Sequence, residues 1–226
     1  MSKLLEKTSV ESKHDAARFF DGFAESFDTI YDGKRNRFMR WVDERFRSDM
    51  FLRFAHTFEV LGDLTSKSVL DIGCGSGPYI IEALKRSASS VTAVDPAPHM
   101  LDLARERLKA SGFISKCSLV QGLFPDIKLQ PHDHAIIMGV LDYVEDPGAF
   151  LTALAPLIKV SAAISFPSQH WFRTPFRKFR YRLRRCPVYF YDEALIRKLS
   201  LGAGFKKVEI RKIPGAGMDY HVCLKP

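Results

Sequence analysis

The chain has 226 residues, of which 46% are hydrophobic and 27% charged, and it carries a formal net charge of +8. This length and balance are ordinary for one globular domain with a substantial core. No apolar run approaches the ~18 residues of a membrane-spanning helix, and the polar N-terminus lacks the apolar core of a secretory signal, so we expect a cytoplasmic protein. The four cysteines are far apart, which argues against a zinc site or a disulfide framework.

The first sixty residues are predicted to be mostly helical. Apolar residues recur every three or four positions over residues 14–27 and again over residues 35–61. This spacing is typical of amphipathic helices that cover a core.

The most informative stretch is residues 69–77, which read VLDIGCGSG. A short apolar strand over residues 68–72 contains Asp71 and leads into three alternating glycines, and an amphipathic helix follows over residues 79–88. Glycines let a ligand lie against the main chain without meeting a Cβ atom, and the helix start offers free N–H groups. The arrangement predicts a ligand-binding corner.

A second strand, residues 91–95, ends in Asp95, which lies 22 residues after Gly73. In a β-α-β unit this spacing brings a carboxylate beside a bound ribose, where it can accept from both hydroxyls. The two strands, the glycines and the acid together predict a site for a nucleoside cofactor.

Five further strands and three further helices are predicted downstream, all within one domain spanning residues 1–226. In chain order they are a helix over 98–111, strands over 117–121 and 134–138, a helix over about 148–158, a strand over 162–166, a helix from the N-cap Asp192 to residue 201, and closing strands over 205–212 and 218–224.

Residues 167–191 are too long for a plain connection between a strand and a helix. Seven basic residues and no acid lie between Arg173 and Arg185, and without these seven the net charge falls to +1. Four arginines share one face of a predicted helix, and apolar residues share the adjacent face: Arg173, Arg177, Arg180 and Arg184 against Phe172, Phe176, Phe179 and Leu183. This basic arm could be an ordinary solvated face, or it could recognise an anionic substrate, a membrane surface or nucleic acid.

VLDIGCGSG followed by AVDPAPHML resembles the first two motifs of class I S-adenosylmethionine-dependent methyltransferases of the small-molecule type. The resemblance implies a Rossmann-like α/β fold, with a seven-stranded, mostly parallel sheet, helices on both faces and an antiparallel last strand. It also divides the domain into a helical lid (residues 1–62), a cofactor-binding half (63–166), the inserted basic arm (167–191) and a C-terminal helix with closing strands (192–226).

The resemblance further implies that the glycines carry the methionine part of S-adenosylmethionine, that Asp71 holds its amino group and that Asp95 takes the ribose. The residues implied in cofactor binding are Tyr31, Arg53, Asp71, Gly73, Gly75, Gly77, Asp95, Pro96, Met100, Gly122, Leu123, Phe124, Met138 and Gly139. Tyr31 and Arg53 could reach the cofactor carboxylate, or Tyr31 could pack the lid while Arg53 pairs with a surface acid. Relatives often place an acid at Leu123 to accept from adenine, and this chain does not.

Catalytic candidates lie after the fourth strand, where relatives often have a histidine at the position of Tyr143. Methyl transfer is a direct displacement, so the protein mainly aligns the reactants, although a protonated acceptor also needs a base. Tyr143 is the best-placed residue and is suited to orienting the acceptor. His170 in the arm is the second candidate, and Asp142 and His221 are weaker ones.

The expected acceptor is a small or lipid-like molecule. The basic arm leaves two further options open, an anionic acceptor and peripheral membrane contact through residues 173–185. Methyltransferases that act on the amino groups of nucleobases resemble one another in an N/D-P-P-Y/F motif after the fourth strand. This chain has MGVL at that position, so nucleic acid is an unlikely substrate. One alternative is a nucleic-acid- or membrane-binding module with a scaffold α/β core. Another is an NAD(P)-dependent oxidoreductase, although the G-x-G-x-x-G spacing of that class is absent.

Overall fold

The computed structural model describes residues 51–168, 188–213 and 219–226. Most of the predicted lid, including Tyr31, lies outside the described residues. So do His170, the basic helix predicted within the arm, and Met218.

Seven strands form one sheet in the order β3-β2-β1-β4-β5-β7-β6. The strands are β1 (Ser68–Ile72), β2 (Ser90–Asp95), β3 (Cys117–Gln121), β4 (His132–Ile137), β5 (Ile158–Phe166), β6 (Lys207–Lys212) and β7 (Tyr220–Lys225). Strands β1 to β5 pair in parallel, and β7 runs antiparallel to both of its neighbours. The predicted sheet is therefore confirmed, including its antiparallel last strand.

Helices cover both faces of the sheet. They are α1 (residues 51–61), α2 (Pro78–Lys85), α3 (Pro98–Ala110), α4 (Pro147–Leu154) and α5 (Glu193–Gly202). Apolar residues of α1, α2 and α3 pack together on one face, with Phe58, Ile80 and Leu108 fully or almost fully buried. Phe150 of α4 and Ile196 of α5 pack on the other face.

Local chemistry sets the helix starts. Pro78 and Pro98 occupy first-turn positions, where the missing N–H of proline costs nothing. The Asp146 carboxylate accepts from the Ala149 N–H at 2.9 Å, and the Asp192 carboxylate accepts from the Leu195 N–H at 2.7 Å. Asp192 is the N-cap that the sequence predicts.

The helix predicted over residues 148–158 was wrong at its end. Helix α4 stops at Leu154, and a single 3-10 turn, Ala155–Leu157, leads into β5 at Ile158. Pro156 cannot donate the backbone hydrogen bond that a continued α-helix needs. Ile158 and Val160 then favour an extended chain, so β5 begins four residues earlier than predicted.

Strand β1 lies between β2 and β4, and the strand order reverses direction there. In open parallel sheets, ligands bind beyond the carboxyl ends of the strands at such a reversal. The segments that follow β1, β2 and β4 therefore meet at the expected ligand site. Among the described residues, no helix is long and apolar enough to cross a membrane.

Candidate cofactor-binding site

The glycine loop, residues 73–77, follows β1 and has a backbone that only glycine adopts easily. Gly73, Gly75 and Gly77 have φ angles of +73°, +53° and +84°. A Cβ atom on Gly73 would lie 2.4 Å from Cγ2 of Val140, so this glycine also allows close packing. A Cβ atom on Gly75 would meet none of the described residues within 4 Å, so these residues leave space beside the middle of the loop.

Asp95 ties the glycine loop to the end of β2. One carboxylate oxygen accepts from the Gly75 N–H at 2.9 Å, and the other accepts from the Ala97 N–H at 2.9 Å. The residue is only 7% exposed. Hydrogen bonds from two backbone N–H groups favour the charged carboxylate. Each oxygen can still accept a further bond, as the predicted contact with a ribose requires.

Asp71 is 2% exposed and lies in register with Ala93 of β2, two residues before Asp95. Its Oδ2 atom is buried and has no hydrogen-bond partner among the described residues. Burial, and next the negative charge of Asp95, raise the pKa of Asp71 to about 8. An unsatisfied buried carboxyl oxygen is costly, and a cationic group placed against it would remove that cost.

The start of the turn after β4, residues 139–143, provides a second open edge. Gly139 has a φ angle of +74°, and a Cβ atom there would meet nothing within 4 Å. Its N–H donates to Ser165 Oγ at 2.8 Å, which fixes the turn against β5. Met138, just before the turn, is half-buried, and its sulfur lies 3.8 Å from Thr57 Oγ1.

Tyr143 lies half-buried at the end of the same turn, and its N–H donates to the Val140 carbonyl at 3.0 Å. The chain that returns from the arm holds this turn in place. The Tyr189 N–H donates to the Asp142 carbonyl at 2.9 Å, and the Tyr191 hydroxyl donates to the Leu141 carbonyl at 3.0 Å.

Both ends of the arm are joined at this edge of the sheet. The Tyr191 N–H donates to the Pro167 carbonyl at 2.9 Å, and Ser168 forms a β-bridge with Tyr191. The described residues on either side of 169–187 therefore lie together, beside the turn that carries Tyr143.

The segment after β3 is less open than the sequence suggested. The Gly122 N–H donates to the Asp95 carbonyl at 3.2 Å, and Leu123 beside it is half-buried. Phe124 is 7% exposed and packs edge-on against Phe150, with ring centroids 5.0 Å apart. Phe124 is thus part of the core.

The segment after β2 has a similar mixture of core and surface. Met100 is buried against Ala97, whereas Pro96 is half-buried.

Arg53 in α1 forms an ion pair with Asp219, with 3.8 Å between Nη1 and Oδ2. This is the kind of partner that the sequence left open as the alternative to a cofactor carboxylate. A role of Arg53 toward the cofactor stays a prediction.

No local pattern in the sequence indicates the contact between Thr57 and His221. Thr57 Oγ1 donates to the Arg53 carbonyl at 2.8 Å and lies 3.1 Å from His221 Nε2, within hydrogen-bond distance. Burial, and then the nearby His56 and Arg53, lower the pKa of His221 to about 3, so the ring is neutral. The two residues are 164 positions apart in the chain, which is why no local pattern could join them.

Comparisons with known proteins agree with this geometry. A family model described as "Methyltransferase domain" matches residues 69–160, which run from β1 into β5. The resemblance of the two sequence motifs to class I methyltransferases is confirmed.

Among curated relatives, the ubiquinone biosynthesis O-methyltransferase of Xylella fastidiosa (strain 9a5c) is 36% identical over 98 residues, covering 42% of this chain and 39% of that protein. The enzyme of the same name from Nitrosomonas europaea is 28% identical over 116 residues, covering 51% and 49%. The chain thus spans less than half the length of these relatives.

The methyltransferase fold extends beyond the matched residues. The crystal structure of magnesium protoporphyrin IX methyltransferase from Synechocystis PCC 6803 with bound SAH superposes with a TM-score of 0.73, at 22% identity, covering 94% of this chain and 97% of that one. The structure of that protein with bound SAM gives 0.72. At this identity the likeness establishes the fold.

Proposed function

We propose that the protein is an S-adenosylmethionine-dependent methyltransferase that acts on a small-molecule or lipid-like acceptor. One observation carries the proposal. Oδ2 of Asp71, two residues before the glycine loop, is buried and has no hydrogen-bond partner among the described residues, and its strand neighbours the one that ends in Asp95. A ligand that combines a cationic amino group with a ribose suits these two carboxyls.

Each part of the site suits one part of the cofactor. Asp71 would hold the amino group, the backbone at Gly75 would face the methionine part, and Asp95 would accept from the ribose hydroxyls. Leu123 would give adenine apolar contact, and the open edge at Gly139 would leave room for the sulfur end. Tyr31 and Arg53 remain proposed partners of the cofactor carboxylate.

The protein's own work in the reaction is alignment and exclusion of water. Bound S-adenosylmethionine supplies an activated methyl group on a sulfonium centre. Tyr143, at the edge where the arm is joined, would orient the acceptor. Its phenol carries a proton near neutral pH and so donates a hydrogen bond more readily than it removes a proton. His170 is proposed as the group that takes the acceptor's proton.

For the acceptor we propose a hydroxyl or carboxylate oxygen on a largely apolar molecule. The names of the similar proteins reported above refer to ubiquinone biosynthesis and to magnesium protoporphyrin IX. The joined ends of the arm at Ser168 and Tyr191 support a role for residues 173–185 at the acceptor opening, where they would attract an anionic acceptor or membrane surface. Residues 1–62 would cover the cofactor as a lid.

Calorimetry tests the cofactor assignment. We expect S-adenosylmethionine and S-adenosylhomocysteine to bind in a 1:1 ratio, and we expect no change in NADH fluorescence when the protein is added. Binding of NADH without either adenosyl compound would replace the proposal with the oxidoreductase alternative. If none of the three ligands bound, the remaining alternative would be a nucleic-acid- or membrane-binding module whose α/β core is only a scaffold.

Transfer of a labelled methyl group tests the acceptor. The panel should contain a prenylated phenol of ubiquinone biosynthesis, magnesium protoporphyrin IX and total RNA. We expect label in one of the two small molecules and none in RNA. Labelled RNA would overturn the proposed substrate class while leaving the cofactor assignment intact.

A further inference from the structure

Two buried carboxyl groups on adjacent parallel strands have unequal support in this site, Asp71 in β1 and Asp95 in β2. Both oxygens of Asp95 accept from backbone N–H groups, whereas Oδ2 of Asp71 has no hydrogen-bond partner in the part of the chain that the structure describes. Two neighbouring buried carboxyls cannot both hold a charge cheaply, so the better-supported one keeps it. Asp95 is therefore the anion and Asp71 the protonated member of the pair.

The other groups around Asp71 do not offset the charge of Asp95. Its strand neighbours in register are Ala93 of β2 and Ile136 of β4, which are apolar. The thiols of Cys74 in the glycine loop and Cys117 in β3 stay neutral, because burial raises the pKa of both. Within the described part of the chain, Asp95 is the one charged group that shifts the pKa of Asp71, and it does so upward.

We propose that Asp71 holds a proton in the empty site and releases it when the cationic amino group of the cofactor binds, so that binding is coupled to the loss of one proton. The inference rests on the proposed function, since it takes the ligand to be S-adenosylmethionine or its demethylated product. The proton passes from the carboxyl group to the buffer, and the carboxylate that remains pairs with the ligand ammonium.

The coupling gives binding a definite dependence on pH. A free pKa of about 8 means that Asp71 is mostly protonated at pH 6.5. The α-amino group of the ligand is that of a free amino acid and is also protonated there. Binding at pH 6.5 should thus release about one proton, and affinity should fall about tenfold for each further unit of acidification. At pH 9 the carboxyl is already mostly ionised, so the release of a proton on binding should disappear.

Proton release is measured by calorimetry of the wild-type protein with S-adenosylhomocysteine. Titrations at pH 6.5 in buffers of low and high ionisation enthalpy give the proton count as the slope of observed heat against that enthalpy. We expect a release of nearly one proton at pH 6.5 and no release at pH 9. Binding with no net proton change at pH 6.5 would overturn the inference and leave the proposed function standing. Absence of binding would be a failure of the proposed function itself.

The Asp71→Asn variant tests whether Asp71 is the residue that releases the proton on binding. The variant should bind more weakly at pH 8, release no proton at pH 6.5, and lose the decline in affinity between pH 7 and pH 6. Asp102→Asn, which neutralises an exposed carboxylate on α3, is the matched control and should keep the wild-type proton count. A folded Asp71→Asn protein that still releases a proton would place the titrating group elsewhere. If this variant does not fold, the wild-type proton count alone decides the matter.

Discussion

The Asp95 carboxylate is already hydrogen-bonded to the protein itself. Its two bonds from the N–H groups of Gly75 and Ala97 mean that it shapes the glycine loop, in addition to its proposed contact with a ribose. A substitution there removes both contributions, so a test must separate them.

We expect Asp95→Ala to lower the affinity for S-adenosylhomocysteine at least tenfold in calorimetry. Hydrogen bonds to a charged group are each worth about 1.5–3 kcal/mol. Titration with the 2′-deoxy ligand separates the ribose contact from the effect on the glycine loop. Wild type should bind the 2′-deoxy ligand more weakly than the normal ligand, whereas Asp95→Ala should bind the two almost equally. Unchanged affinity in a folded Asp95→Ala protein would refute the ribose assignment.

Tyr143 lies beyond the cofactor strands, in the turn held by the chain that returns from the arm. Tyr143→Phe should therefore reduce the turnover number and leave cofactor affinity nearly unchanged. Steady-state rates and a calorimetric titration of the same preparation measure the two effects. Weak cofactor binding with normal turnover per occupied site would place Tyr143 on the wrong side of the pocket.

At the scale of elements, helix α1 is joined to β7 by buried polar contacts. The His221 ring is hydrogen-bonded to the Thr57 hydroxyl, and Asp219 just before β7 pairs with Arg53. Because the pKa of His221 is lowered in the folded protein, the unfolded chain binds its proton more readily. This histidine therefore stabilises the fold fully above its ordinary pKa of about 6.5 and progressively less as pH falls toward 3.

We expect the free energy of unfolding to fall by about 1.4 kcal/mol per pH unit through this group below pH 6.5. Urea unfolding at pH 7.5, 6.0 and 5.0 should show a shallower decline for His221→Gln than for wild type. His99→Gln, at a half-buried position on α3, is the control and should keep the wild-type slope. Equal slopes for wild type and His221→Gln would contradict the assignment.

Elements with strong local signals could be predicted from the sequence. Strand β1 has the predicted bounds, because a short apolar run bounded by an acid and glycines is typical of a buried strand. The end of α4 was missed because the effect of Pro156 was overlooked. The pairing of Thr57 with His221 and the core position of Phe124 depend on tertiary packing between distant segments, which no local pattern encodes. The glycine loop was predictable because its chemistry lies within nine consecutive residues.

At the scale of the whole molecule, the net positive charge is concentrated in the arm. Exposed charges are screened beyond ~8 Å at physiological ionic strength, so attraction of an anion by several arginines should weaken as salt rises. Arg177→Gln with Arg180→Gln should weaken binding to anionic vesicles or acceptor and flatten its salt dependence. Cofactor affinity should hardly change.

Co-sedimentation with anionic vesicles at two salt concentrations measures this, alongside titrations with acceptor and with RNA. Lys109→Gln with Lys206→Gln removes the same charge from exposed positions elsewhere and should behave like wild type. If the arm variant matches that control in all three titrations, the arginines form an ordinary solvated face.

The β-bridge between Ser168 and Tyr191 joins the described residues on the two sides of segment 169–187. The entropy of closing a loop changes only slowly with its length, so a shorter, longer or different segment between these joined ends should cost the sheet little stability. A protein engineer could therefore replace this segment and measure directly whether the choice of acceptor changes.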